Sequence, residues 1–482
     1  MLEVQAHQQL KHLLRADAGQ WEHQLTLSRL VGRSLRRRDQ TRIQLSAGSN
    51  ERWWLALLVP LCLQSRNTVL VLDQQQRQRF LNLERPRLLQ SDLRLGCWSG
   101  IHPPKGDQLW LLTHDQLITA YRLGHLRHDD HLVIPEAEHL ATRLRDAMTV
   151  KLEARHWEEL RTAFPATGQG LLDLHERLSR QLFARGSGNF RQLCMPESAL
   201  TSVRDLLQLT GPAPEPWCQL TTMGMDTWAS WARLDHEHLQ WQWTLQPLEP
   251  LEEIQDLFNT RPWTLIHGDG GCRRAANETP PDRDDPVIRI DLREPPRSEP
   301  IPIYAPRRQP LPNTEIYASH LLDQCRRLIL GRSGLTLVLA DDTALRQRLT
   351  SELAAEFGSR VTLDHASDKP NGVICTSWSW WMTHQSTLPE PEQLITALLP
   401  IASLGDPLTA ARVQVLKKQG RDWFRDLLLP EALAILIPAI APLRRNGGRL
   451  ALLDGRVRSR SWGEQVFRAL EPWSSLQRLL PD

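Results

Sequence analysis

The chain contains no CxxC pair. Its seven cysteines, Cys62, Cys97, Cys194, Cys218, Cys272, Cys325 and Cys375, are scattered so widely that no two lie within four residues. That excludes the usual zinc and iron–sulfur spacings. An odd count fits free thiols in a reducing compartment better than a disulfide framework. Tyrosine is scarce, three against eighteen tryptophans. Long apolar runs are missing as well. "WWLALLVPLCL" (53–63) is shorter than the ~20 residues of a membrane span, and "LLLPEALAILIPAIAPL" (427–443) is broken by Glu431 and three prolines. The start, "MLEVQAHQQLKHLLRADAG", is polar and amphipathic without an apolar core segment, so no secretory leader is expected. Together these absences lead us to expect a cytoplasmic protein with no membrane partner. The net charge of +2 neither requires nor excludes nucleic acid, because a phosphate footprint depends on local clustering of charge.

What is present is alternation. At 482 residues the chain exceeds one comfortable core. Short apolar runs at 41–46, 68–73, 108–113 and 131–136 read as strands separated by helical segments, the pattern of a parallel sheet with helical crossovers. "QLTLSRLVGRSLRRRD" (24–39) reads as a helix with a basic, solvated end. Residues 143–245 carry helical periodicity and read as an insertion, after which "WTLIHGDG" (263–270) resumes the strand pattern. Residues 280–312 hold ten prolines among charges and read as a linker or extended crossing segment. Strands are expected again at 335–340, 360–364, 372–376, 394–400 and 449–454, with helices near 342–357, 407–419, 430–441 and 461–470. The expected domains are 1–142 and 246–279 for a first lobe, 143–245 for its insertion, 280–312 for the linker and 313–482 for a second lobe.

Within the first lobe, "LSAGSNERWWLALLVP" (45–60) runs from a strand through a small-residue turn into an apolar helix. That is the layout of a nucleotide phosphate loop. Several segments, in order, resemble XPD/DinG-type superfamily-2 DNA helicases. "AGSNERWWLALLVP" lies without a gap on the family's A-G-T-G-T-G-K-T-x-x-Y-L-x-P. "LTHDQL" (112–117) resembles T-N-H-x-x-L, and "LVIPEAEHL" (132–140) resembles I-I-D-E-A-H-x-L. "SWSWWMTHQ" (377–385) resembles S-F-W-E-G-x-D through Ser379, Trp380 and Trp381. Nearer the end stand Asp406–Pro407, Gly420 to Phe424, Leu429–Pro430 with Ala432, Asp454 with Arg456, and Trp462–Gly463. The resemblance spans roughly 20–140 and 263–472. It implies an α/β fold: two RecA-like (P-loop NTPase fold) lobes with parallel sheets and a helical, arch-like insertion in the first lobe.

The departures fall on the chemistry. A phosphate loop works because glycine N–H groups close on phosphates, Lys holds the β/γ charge and Thr ligates Mg²⁺. Here Ala47, Gly48 and Ser49 hold their places, Asn50 and Arg52 replace the later glycines, and Trp53 and Trp54 stand for Lys and Thr. Pro135 replaces the Mg²⁺-holding Asp, Glu136 remains, and Glu138 stands for the motif's His. Motif III, S-A-T in the family, reads "IHGDG" (266–270). Motif V ends in Gln385 where the family has Asp. In motif VI Pro438 replaces Gln, Pro442 replaces the first Arg, and Arg445 keeps the second. Phosphoryl transfer relies on positioning and charge stabilisation, so these losses together imply a helicase-family protein without ATP turnover. No catalytic residue is expected intact beyond the vestigial Glu136 and Arg445. No cofactor is expected, and ATP with Mg²⁺ belongs only to the alternative of an active helicase with aberrant motifs. The family's iron–sulfur module would fall where only Cys97 is found, so no cluster is expected. Single-stranded nucleic acid and protein are the partners this reading admits; the further alternative is a helicase-fold scaffold without nucleic-acid contact. Trp53 and Trp54 would then fill the vacated nucleotide space. Eighteen tryptophans could line a strand-binding channel or simply build cores. His236 and His238, at i and i+2, lack a third ligand nearby and are not read as a metal site.

Overall fold

The computed structural model describes residues 2–15, 23–46, 53–90, 93–185, 192–221, 223–224, 226–268, 287–293, 299–385 and 387–476. Ala47, Gly48, Ser49, Asn50 and Arg52 lie outside the described residues, as do Cys272 and the end of "IHGDG".

The first lobe opens with β1 (Gln40–Leu45), β2 (Thr68–Val71), β3 (Cys97–Trp98), β4 (Leu109–Leu112) and β5 (His131–Ile134). TVLV, LWLL and HLVI are buried at every position, as central parallel strands covered on both faces must be. After β5 the chain leaves for the insertion, β6 (Val150–Leu152), β7 (Gln192–Cys194), β8 (Trp228–Asp235) and β9 (Gln240–Pro247). It returns with β10 (Trp263–Gly268) and β11 (Ile288–Asp291). The first sheet has the order β11-β1-β10-β5-β2-β4-β3, with every pairing parallel. All its strands therefore end on one edge.

The insertion carries the expected helices, Ala154–Ala163, Gly168–Arg185 and Glu197–Thr210. It also holds an antiparallel sheet, β6-β9-β8-β7, that the helical periodicity did not disclose. Its long strands come from "TWASWARLDHEHLQWQWTL": in β9 Trp241 and Trp243 alternate with glutamines on a two-residue period, while in β8 Trp228 and Trp231, three apart, join different apolar clusters. Trp157, Trp217, Trp241 and Trp243 meet there, Trp157 and Trp217 edge-to-face at 4.7 Å. Most of the tryptophans are core residues, and Trp98 alone is exposed among those described.

The second lobe is built on β12 (Ile301–Tyr304), β13 (Thr336–Leu339), β14 (Val361–Leu363), β15 (Val373–Thr376), β16 (Gln393–Thr396), β17 (Arg449–Leu452) and β18 (Trp473–Ser475). These pair in parallel in the order β14-β15-β13-β16-β17-β12-β18. The proline-rich 280–312 is thus more than a linker: β11 pairs with β1, and β12 lies between β17 and β18 with Ile301 and Ile303 in the core. Isoleucines at 288, 290, 301 and 303 supply a two-residue alternation that the proline count concealed. Phe424–Asn446 is long and apolar enough by composition to cross a membrane, but half of that window is buried, and Leu436, Ala439, Ile440 and Leu443 pack in the second lobe's core.

The insertion touches the second lobe. Leu408, Ala411 and Val415, on the helix Pro407–Lys418, pack against Ala229, Trp231 and Leu248. Arg412 bridges Glu249 at 3.6 Å and Glu431 at 2.7 Å.

Candidate nucleotide site at the first sheet's edge

In an open parallel sheet, ligands sit beyond the carboxyl ends of the strands. At that edge the first lobe gathers Asp73 after β2, His114 after β4, Glu136 and Glu138 after β5, and Gly268 closing β10. Local capping fixes the first two. Asp73 accepts from the Gln76 N–H at 2.7 Å in a capping box, and Thr113 does the same with Gln116, turning His114 into the first helical turn.

Arg143 organises the cluster. Its guanidinium donates to Glu136 Oε2 at 2.9 Å and pairs with Asp73. Glu136 itself sits in the left-handed region, φ 51° and ψ 45°, a strained conformation for a residue with a Cβ. Glu138 accepts the Gly268 N–H at 2.8 Å. A Cβ at position 268 would lie 2.5 Å from Glu138 Oε1, so any larger residue there would displace the Glu138 carboxylate. Burial, opposed by backbone hydrogen bonds, pushes the Glu138 carboxyl up to about 7. Burial and then the Arg143 charge push His114 down to about 4. The buried His114 Nε2 has no partner among the described residues.

Trp53 and Trp54 open the helix Trp54–Leu63 and stack with centroids 4.7 Å apart at 18°. Each is only 2% exposed, and both belong to the core cluster containing Ile43, Leu45, Val133 and Ile266. Pro135 is buried directly after β5. In the second lobe, Gln385 caps the helix Trp378–His384 and is half-buried. Pro438 and Pro442 interrupt the hydrogen-bond ladder of Leu429–Asn446, Pro442 being buried. Arg445 is exposed and pairs with Glu390 of its own lobe at 3.0 Å. The two vestigial residues thus each hold a partner within their own lobe. Among the described residues no group of three or more His, Cys, Asp and Glu side chains is placed to hold a metal.

Asp73 and Arg143 escaped the sequence reading, whereas His114 and Gly268 fell in the "LTHDQL" and "IHGDG" segments but were given no role there. The available signal was positional: each follows a strand end or, for Arg143, lies two helical turns beyond Glu136. Arg143 stood at the expected start of the insertion, which hid its role in the first lobe.

No protein-family profile matches the chain. In sequence it is similar to the ATP-dependent DNA helicase YoaA of Escherichia coli, 25% identical over 179 residues, 34% of this chain and 28% of that protein. YoaA of Haemophilus influenzae is 27% identical over 143 residues, 29% of this chain and 22% of that protein. The matched segments thus span about a quarter of the length of these curated relatives. In structure the chain resembles S. tokodaii Xpd4 with a TM-score of 0.58 and 12% identity, covering 92% of this chain and 98% of that one. An apo XPD structure gives 0.57 and 12%, covering 94% and 99%. The chain is related to XPD/DinG-type superfamily-2 helicases. Its two sheets are accordingly two RecA-like lobes, with the insertion carried by the first, and the YoaA matches make the relationship one of sequence as well as fold.

Proposed function

We propose that this XPD/DinG relative has given up ATP turnover and keeps a nucleic-acid-binding role on single strands. The observation that carries the first half is the buried Trp53–Trp54 stack. At 2% exposure neither ring presents anything to a phosphate, where the family places a Lys for the β/γ charge and a Thr for Mg²⁺. Two further features support it. Pro135 offers no carboxylate, and the Glu136 carboxylate is engaged by Arg143. The second half rests on relationship: YoaA is by name an ATP-dependent DNA helicase. A cytoplasmic location goes with this reading.

The test is Mg-ATP hydrolysis by the purified chain with and without single-stranded DNA, with a Glu136→Gln variant as the control for contaminating ATPase. The expected result is no DNA-stimulated turnover in either protein. Turnover that vanishes in Glu136→Gln establishes an active helicase-type site and overturns the proposal. A chain that neither hydrolyses ATP nor binds single strands is a scaffold instead.

A further inference from the structure

A second feature lies at the strand ends of the other lobe. Because β12 and β17 are parallel neighbours, the segments that follow them, 305–310 and 454–461, emerge side by side. Their packing is close: the Arg458 guanidinium donates to the Ala305 carbonyl at 2.9 Å, and a Cβ at Gly455 would lie 2.1 Å from the Pro310 carbonyl oxygen. The sequences are "APRRQP" and "DGRVRSRS". The buried Asp454 is consumed by Arg456, whose guanidinium donates to both carboxylate oxygens. That leaves Arg307, Arg308, Arg458 and Arg460, all exposed and none in an ion pair among the described residues. Partial burial and then the Arg307 charge lower the Arg458 pKa.

We infer that Arg307, Arg308, Arg458 and Arg460 form a ledge that holds the phosphate backbone of a single-stranded nucleic acid. This rests on the proposed nucleic-acid role and gives it a location. Four exposed guanidiniums on adjoining segments, Arg458 being held by the Ala305 carbonyl and the Phe467 ring face at 4.7 Å, suit a chain of phosphates, each a bidentate acceptor for a planar donor fork. Two half-buried aromatic rings lie alongside, backed by the buried Trp462. Arg425 reaches Ser461 at 3.4 Å, and the rings of Trp423, Phe424 and Trp462 follow one another at 6.0 and 5.1 Å. Trp423 and Phe424 are half-buried, and basic surface bordered by aromatics is the composition of single-strand sites. A lipid surface is less suited, because no exposed large apolar side chain lies within 305–310 or 454–468 to enter a bilayer.

The test is fluorescence anisotropy of a labelled oligo(dT) strand with the full chain across a salt series. Replacing all four residues, R307Q/R308Q/R458Q/R460Q, is expected to flatten the plot of log affinity against log salt by about 3, some 0.7 per phosphate contact. Between 50 and 200 mM salt that is a share of about fifty-fold in affinity. R307Q/R308Q/R460Q spares the Arg458–Ala305 contact and should flatten the plot by about 2, so a folding defect in the first variant does not decide the matter. R155Q/R180Q, on the insertion, should leave the slope unchanged. Wild-type binding with an unaltered slope in both ledge variants overturns the ledge and leaves the nucleic-acid role standing. No wild-type binding at low salt overturns both. Binding to phosphatidylserine vesicles that the ledge variants lose, with strand binding intact, reassigns the ledge to lipid.

Discussion

Arg143 holds Glu136: its Nη2 lies 2.9 Å from the carboxylate, and the same guanidinium pairs with Asp73. One cation therefore joins the ends of β2 and β5 at the edge where a nucleotide would sit. Both carboxylates thus find a counter-ion within the chain itself. Arg143→Ala leaves two half-buried carboxylates facing each other without it. The expected loss is about 1–3 kcal/mol, between the ranges for exposed and buried pairs, measured by urea denaturation. Arg143→Lys should restore only part of it, because an ammonium cannot span both carboxylates with a planar fork.

The tryptophan stack supplies a second prediction. Trp54→Ala should destabilise the chain by about 3–5 kcal/mol, as expected for a fully buried large side chain. Trp53→Lys should also destabilise it and should not rescue ATP hydrolysis, since Pro135 and Pro442 still lack the groups that hold metal and stabilise charge. A hydrolysing Trp53→Lys variant would show that one residue silences the site.

How much of this could be read from the sequence depends on range. β2, β4 and β5 were legible because central parallel strands are continuous apolar runs, and β13, β15, β16 and β17 for the same reason. The replacement of phosphate-loop residues by Trp53 and Trp54 was legible as a departure from a known pattern. Arg143, Asp73 and Gly268 were not, because their meeting depends on strand order, which places β10 and β2 on either side of β5. The insertion's sheet was missed because the helical periodicity of the segments before it was extended over all of 143–245, β8 and β9 included. β11 and β12 were masked by prolines, although proline excludes a strand only where its N–H must bond.

The contact between insertion and second lobe yields a local prediction. Arg412→Ala removes the bridge between Glu249 and Glu431, both partly exposed, and should cost about 1 kcal/mol or less. Its readout is spatial: hydrogen exchange should rise together in 228–247 and 407–418, the segments joined by Trp231, Leu408 and Val415. A rise confined to one segment would mean that the apolar patch holds without the ion bridge.

Metal analysis of the purified chain should find neither an iron–sulfur cluster nor one equivalent of zinc. Ligation needs thiolates, and burial pushes Cys97 up to about 11 and Cys62 up to about 12. His238 is engaged by Asp235 at 2.9 Å rather than by a converging third ligand. One equivalent of either metal sinks this prediction.

The first-lobe edge should also set how stability responds to pH. Glu138 titrates near 7 in the folded chain, above the ~4.3 of a free glutamate. Between those values the folded state binds more protons than the unfolded state, so the Glu138 contribution is fully present below about 4.3 and is lost as pH rises through 7. His114 works in the opposite sense. Its folded value near 4 lies below the ~6.5 of a free imidazole, so its contribution is present above 6.5 and is lost as pH falls through 4. Between about 4.3 and 6.5 the two contributions therefore oppose each other and largely cancel, so a single-site variant is needed to separate them. Glu138→Gln keeps an acceptor for the Gly268 N–H without a charge to desolvate. Above pH 7 it should be more stable than the parent by roughly 1–3 kcal/mol, given a half-buried carboxyl, and the difference should shrink toward pH 4. Urea melts of both proteins at pH 4.5, 6 and 8 check this. Parallel pH profiles would mean that the Glu138 carboxyl titrates like a free one and that the edge is wetter than its packing indicates.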